Sequence, residues 1–427
     1  MNKFLVILFL LISLQLYAEV KVEKIFRDKK IVGYLVSNKF LETVLITPNQ
    51  LKSNKSAVDI IQGGWFKSIT LKDHGDLLGQ GTTPEGTMRY GLAQVFEPLI
   101  EIPKNIKEFI LPGVGRGVIN ANAKLMIREF FPWRSTITKV GEQKEKIMIS
   151  FLQDCDNSKR QLSYKMRIDC IFSDTALVEV KGVFFNLSDK TLKARVSPTA
   201  IFNSTSNETK PWIVVPYQQS RIINKKRITY IDSAPIQIKD FRNYYEFTKD
   251  RLSKAKRWIA IGGLENNGVF SFISKAVLEK VVFWKTDNCF SIFPYINIEA
   301  KPKERVEWNW KLIVGRGMKT INNVSEKGLF GLKLKKYSRG RRYKCDMQFM
   351  PVASSKGMVI DVLLKASKGS MLLTKSYETF KLSPLNPESI TIKLPKKVHS
   401  KDRYKLKIDI FEDDNHVMSV DQWIFPE

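Results

Sequence analysis

The stretch VFWKTDNCFSIFPYINIEAKPKERVEWNWKLIVG, Val282 to Gly315, decides the fold class. Phe290 to Glu299 alternates loosely between apolar and polar side chains. Val306 to Val314 is a second run, rich in tryptophan and β-branched residues. Between them, Ala300-Lys-Pro-Lys-Glu304 is polar and carries a proline, which has no amide hydrogen to give to a sheet. Two period-two runs joined by a short polar link predict a β-hairpin.

The same pattern extends in both directions. Val20–Phe26, Ile31–Val36, Phe40–Thr47 and Trp65–Leu71 read as strands, with a loop at Leu51–Asp59 and a break at Gly63-Gly64. Gly79–Gly86, rich in glycine and threonine, reads as a loop over one end of a sheet. Lys124–Phe131 and Lys146–Gln153 flank a break at Pro132-Trp133-Arg134. Tyr164–Phe172, Ala176–Phe185 and Leu192–Phe202 follow, and Trp258–Gly262 with Gly268–Ser274 reads as another hairpin. Ile238–Ala255 is the best helical candidate, interrupted by aromatic and basic residues. Short strands with turn chemistry between them and no alternating helices predict an all-β, antiparallel architecture. The polar stretch Lys319–Gly328 then marks a boundary. Beyond it Tyr343–Met350, Met358–Leu364, Ser370–Thr374, Ser389–Leu394, Tyr404–Phe411 and His416–Phe425 fit a small β-sandwich. The expected division is a large sandwich over 19–318 and a C-terminal Ig-like sandwich over 319–427.

The 427 residues suffice for two domains, and 43% hydrophobic with 26% charged residues suits folded chains. Residues 1–18 have the form of a signal peptide: a positive start, the apolar run Phe4–Tyr17, and Ala18 at the cleavage point. That run is shorter than the roughly 20 residues a spanning helix needs. The expectation is export to the periplasm or the exterior, with a mature chain starting at Glu19. Cys155, Cys170, Cys289 and Cys345 allow three disulfide pairings or four buried thiols, and lack the close-pair spacing of a zinc site. Neither a metal nor a cofactor is expected. The formal charge of +27 favours anionic partners. For an exported protein those are acidic polysaccharide or the envelope surface rather than nucleic acid. Lys333–Lys344 holds seven basic residues in twelve, although a charge run is ordinarily a solvated face.

Three stretches together resemble the galactose mutarotase-like superfamily. Gly63-Gly-Trp-Phe-Lys-Ser-Ile-Thr-Leu-Lys-Asp-His-Gly-Asp-Leu-Leu78 is similar to its early glycine-pair strand and the hairpin ending in two leucines. Ala176 to Lys190, running on to Pro198-Thr-Ala-Ile-Phe-Asn203, is similar to the strands leading to a sugar-contacting histidine. Phe293-Pro-Tyr-Ile-Asn-Ile-Glu299, followed by Lys301–Val306, is similar to a strand ending in an acidic residue and its closing turn. The resemblance spans roughly residues 20–317 and implies an antiparallel β-supersandwich that binds sugars, with Glu299 as the base. It departs from the family at Ala200, in whose neighbourhood the family's acid histidine stands.

Mutarotation needs an acid for the ring oxygen and a base for the anomeric hydroxyl. His74, His399 and His416 are the only histidines, and His74, in a turn, is the candidate within the larger domain. A strand-end carboxylate such as Glu299 is ordinarily just paired with a lysine or arginine. Glu97, Glu129 and Glu246 are alternative partners for a carboxylate pair, and Tyr217 and Tyr245 are candidate proton acceptors for lyase chemistry. Trp133, Arg134 and Trp212 sit beside strand breaks, where they can meet sugar faces and hydroxyls, although most aromatics belong to cores. The leading expectation is an exported carbohydrate-recognising protein. The alternatives are a carbohydrate-active enzyme of epimerase, glycosidase or lyase type using Glu299, and a structural envelope or adhesion protein without a sugar site.

Overall fold

The computed structural model describes residues 20–27, 29–47, 65–82, 88–98, 108–111, 115–119, 125–141, 145–155, 163–203, 210–223, 226–241, 243–286, 289–336, 343–366, 369–396, 398 and 403–424. The expected signal peptide, the Leu51–Asp59 loop, Gly63-Gly64, His399 and residues 337–342 of the basic run lie outside them.

The described elements are antiparallel β-strands and two short 3-10 turns. Two large sheets face each other. The first has ten strands. Its path runs Lys21–Arg27, Lys30–Ser37, Leu41–Ile46, Trp65–Leu71, Leu92–Pro98, Leu192–Asn203, Cys289–Ala300, Lys280–Lys285 and Tyr244–Thr248, with Gly75–Asp76 beside Trp65–Leu71. The second has nine: Arg134–Val140, Lys146–Cys155, Tyr164–Phe172, Leu177–Asn186, Arg305–Arg316, Gly268–Ser274, Trp258–Gly262, Trp212–Val214 and Ile236–Gln237. Alternate residues of each strand face a shared core: Ala194, Val196, Ala200 and Phe202 from one sheet, Trp308, Trp310, Leu312 and Val314 from the other. Gly182 lies opposite Trp308 in register, and a Cβ there would stand 1.9 Å from Trp308 Cε2, so the missing side chain makes the slot for the indole.

Three expectations need correction. Cys289–Ala300 and Arg305–Arg316 do not pair as a hairpin. The first pairs with Leu192–Asn203 and Lys280–Lys285 in the ten-stranded sheet, the second with Leu177–Asn186 and Gly268–Ser274 in the nine-stranded one. The Lys301–Glu304 turn carries the chain across the core, so Ile296 and Trp310 point at each other's layer rather than side by side. Ile238–Ala255 is not a helix but a 3-10 turn, Ile238–Asp240, and the edge strand Tyr244–Thr248. Its aromatics alternate, and Phe247 and Tyr245 pack with Phe241 on the core side, which a strand permits and a helix does not. Gly79–Gly86 is not simply a loop, because it contributes Gln80–Thr82 to a small hairpin with Met88–Tyr90.

Residues 323–424 form two four-stranded sheets. These enclose a second core that includes Phe330, Cys345, Ile360 and Ile408. A third apolar cluster joins this part to the nine-stranded sheet: Trp212, Trp258, Val269 and Ile313 meet Met318, Ile321, Leu329 and Met350. Lys256 lies at the same junction, its Nζ 3.2 Å from the Asn322 carbonyl and 3.4 Å from Ser233 Oγ. All four cysteines are buried and unpaired. Burial pushes the Cys345 thiol up to about 12 and raises that of Cys170 further, with neighbouring aspartates adding to both. Such thiols are poor nucleophiles.

Candidate functional site

The outward face of the ten-stranded sheet holds the most unusual chemistry. On Leu192–Asn203 the core takes Val196, Ala200 and Phe202, so Ser197 and Thr199 point away from it. On Cys289–Ala300 the core takes Phe290, Ile292 and Ile296, so Ser291, Phe293 and Tyr295 point outward. Val281 and Phe283 likewise send Lys280 and Trp284 out, and Phe247 sends Tyr244 and Glu246 out. Register aligns them into cross-strand rows. Trp284 is opposite both Tyr244 and Ser291, and Lys280 is opposite Tyr295.

Ser197, Thr199 and Ser291 are buried, yet their hydroxyls find no hydrogen-bond partner among the described residues, and neither does Arg195 Nε in the adjoining row. An outward-facing residue is buried only if something covers it. The strand Gln80–Thr82, paired with Met88–Tyr90, comes close to both Leu192–Asn203 and Cys289–Ala300. Its feet are fastened to Ile201: Gly79 N donates to Ile201 O at 2.7 Å, and Ile201 N donates to Gly91 O at 3.0 Å. Gly91 has φ +65°, and a Cβ there would lie 1.9 Å from Phe66 O, so only glycine permits this foot.

Beside the hydroxyls the face turns aromatic and charged. The Phe293 and Tyr295 rings lie nearly parallel, 9° apart in plane and 6.3 Å between centroids. Lys280 Nζ sits 5.3 Å from the Tyr295 ring centre and 3.4 Å from Glu246 Oε2. Tyr244 donates to the same carboxylate oxygen at 2.9 Å. Burial of the Tyr244 hydroxyl and its hydrogen bond to Glu246 raise the phenol's pKa, which keeps it a donor.

The residues singled out in the sequence occupy separate places. Glu299 is on this same outward face, exposed, with Lys193 Nζ at 3.7 Å from its carboxylate. Trp133 is buried in the main core, and the exposed Arg134 pairs with Asp154. Trp212 is buried in the cluster that joins the two parts of the chain. His74 is in the turn after Trp65–Leu71, its Nδ1 2.5 Å from Arg316 Nη1, with Asn266 bonded to its carbonyl. Tyr217 hydrogen-bonds Asp232 at 3.4 Å, away from the outward face, and Tyr245 belongs to the aromatic cluster on the core side. Glu97 is opposite Arg195 in register, and Glu129 is in the strand Leu125–Phe130. Glu246 and Glu299 share the face but are six residues and two strands apart, about 22 Å at the spacings of a sheet. That is more than twice the roughly 5–9.5 Å that separates a working carboxylate pair.

Sequence reading missed Ser197, Thr199, Ser291, Trp284 and Tyr244. The available signal was Phe293 and Tyr295, two aromatics at alternate positions on the face opposite Ile292 and Ile296.

No family model matches the sequence, and no curated protein is similar to it. Its structural neighbours include galactose mutarotase-like and aldose 1-epimerase proteins. The Slr1438 protein from Synechocystis sp. PCC 6803 aligns with TM-score 0.46 and 10% identity over 69% of this chain and 99% of that one. A galactose mutarotase related enzyme from Lactobacillus acidophilus aligns with TM-score 0.42 and 14% identity over 68% and 100%. A putative aldose 1-epimerase from Escherichia coli K12 aligns with TM-score 0.40 and 10% identity over 70% and 100%.

Proposed function

We propose that this chain is an exported carbohydrate-binding protein whose site is the outward face of the ten-stranded sheet. The observation that carries the reading is the set of accessible aromatics Phe293, Tyr295, Trp284 and Tyr244 on one face, with Glu246 and Lys280 paired among them. Aromatic faces cover the apolar C–H side of a sugar ring, and a carboxylate and an ammonium beside them accept from and donate to its hydroxyls. Binding rather than turnover suits the site, because Glu299 is exposed and far from Glu246. Catalysis through Glu299 remains the second reading, supported by its place on the same face, and loss of sugar turnover in Glu299→Gln is its test. A glycan array with the full chain and with Phe293→Ala tests binding. Retention of at least one glycan by the first and markedly less by the second is expected, and no retention by either refutes it.

Two finer proposals go with this reading. Residues 1–18 direct export and are removed before Glu19, which the intact mass of exported protein checks. The net charge favours an anionic glycan, with Lys333–Lys344 supplying a salt-sensitive share of the affinity. Replacing Arg339, Arg341 and Arg342 with Gln then lowers the salt needed to elute the protein from an acidic-glycan column.

A further inference from the structure

The accessible aromatics of the outward face stand in two groups, joined by one polar strip. In the first, Tyr244 on the edge strand is opposite Trp284 on Lys280–Lys285. Four residues along that second strand, Lys280 is opposite Tyr295 on Cys289–Ala300. Tyr295 forms the second group with Phe293, whose ring is nearly parallel to its own. Tyr244 and Tyr295 are thus two strands and four residues apart, about 17 Å between Cα atoms at the spacings of a sheet, which is more than a single sugar ring spans.

Hydrogen-bonding groups occupy the interval. Tyr244 donates to Glu246 at 2.9 Å, Lys280 Nζ is 3.4 Å from the same carboxylate oxygen, and that ammonium is 5.3 Å from the centre of the Tyr295 ring. Contact between Tyr244 and Trp284 by itself steadies a sheet. That gain does not require the phenol to be tethered while the residue stays 55% exposed. A ligand does gain from it, because a ring already ordered costs less to immobilise on binding.

Resting on the carbohydrate reading above, we infer that the ligand is an oligosaccharide long enough to stack on both groups at once, lying obliquely across the three strands. One of its rings lies on Tyr244 and Trp284 and another on Tyr295 and Phe293, and the hydroxyls between them meet the Glu246 carboxylate and the Lys280 ammonium. Joining two stacking contacts in one molecule makes the second contact intramolecular, so affinity steps up once the chain reaches both groups and not before.

The test is calorimetric titration of the full chain with gluco-, galacto- and manno-oligosaccharides of one to five rings. If the glycan array retains a glycan of another type, its own fragments of one to five rings take their place. Affinity is expected to stay low for the shortest ligands and to rise about tenfold or more by five rings. Tyr244→Ala and Tyr295→Ala are each expected to weaken the five-ring ligand about fivefold or more, the scale of one aromatic contact, and to remove the step with length. Tyr244→Phe, which keeps the ring, is expected to retain the step. Equal affinity for one and five rings, a step that survives Tyr244→Ala, or a step lost in Tyr244→Phe overturns the two-group inference and leaves sugar binding intact. Failure to bind any of these sugars, with a silent glycan array, overturns the carbohydrate reading as well.

Discussion

Replacing Thr199 with Val removes a buried hydroxyl that has no partner among the described residues. The Thr199 hydroxyl is removed from water on folding and gains no described protein partner in return. An unsatisfied buried polar group costs about 1–3 kcal/mol, and valine keeps the shape while deleting the hydroxyl. Thr199→Val should therefore stabilise the sugar-free protein by about 1–2 kcal/mol, or about 2–4 °C in Tm at the ~2 °C per kcal/mol of a domain this large. Thr379 supplies the control, because it is equally buried but its hydroxyl is used: Met358 N donates to it at 3.2 Å, and it donates to Met358 O at 3.3 Å. Thr379→Val should lose about 1 kcal/mol. Scanning calorimetry on the three proteins reads the signs directly. If Thr199→Val destabilises like Thr379→Val, its hydroxyl is already satisfied and the reasoning from an unpaired buried group collapses.

Other expectations follow from packing and charge. Gly182→Ala places a methyl inside the Trp308 indole, and a loss of about 3 kcal/mol or failure to fold is expected; wild-type stability in urea would contradict the slot. Burial holds the Lys256 ammonium below the ordinary lysine range despite nearby Asp232. The unfolded chain then binds the extra proton between the folded and unfolded pKa values, so Lys256 favours folding more as pH rises through that window. The stability of wild type relative to Lys256→Met should accordingly climb as pH rises toward the ordinary lysine range of about 10.5, and a flat difference would remove the buried charge from the account. Residues 19–318 and 319–427, made separately, are proposed to fold each on its own, but the cluster around Trp212, Trp258 and Met350 would be exposed. Each part should be less soluble alone and recover on mixing, and two indifferent fragments in analytical ultracentrifugation would argue against a shared apolar interface.

The strands were largely legible, and their partners were not. Trp65–Leu71 has the bounds that its alternation predicts, since period-two patterning reports which face a residue turns to the core. The same patterning is silent on which strand lies alongside. Cys289–Ala300 and Arg305–Arg316 have the alternation of a hairpin and a turn short enough for one. Only the packing of Ile296 and Ala300 against the opposite layer separates a crossing of the core from a hairpin. The Tyr244–Thr248 strand is short and lies between basic residues that belong to the flanking turns, which masks its alternation. The candidate site was less legible still. Ser197, Thr199 and Ser291 are ordinary strand residues taken singly, and they acquire meaning because segments about 90 residues apart in sequence become neighbours. Trp133 and Trp212 had the residue type of a sugar platform, but what surrounds an aromatic is set by the tertiary fold.

A crystal structure of the protein soaked with the glycan best retained on the array tests the central claim most directly. The account predicts a sugar ring stacked over Trp284 or Tyr244, with a hydroxyl about 3 Å from Glu246 or Lys280. Sugar density anywhere else on the molecule, with the outward face of the ten-stranded sheet unoccupied, would contradict it.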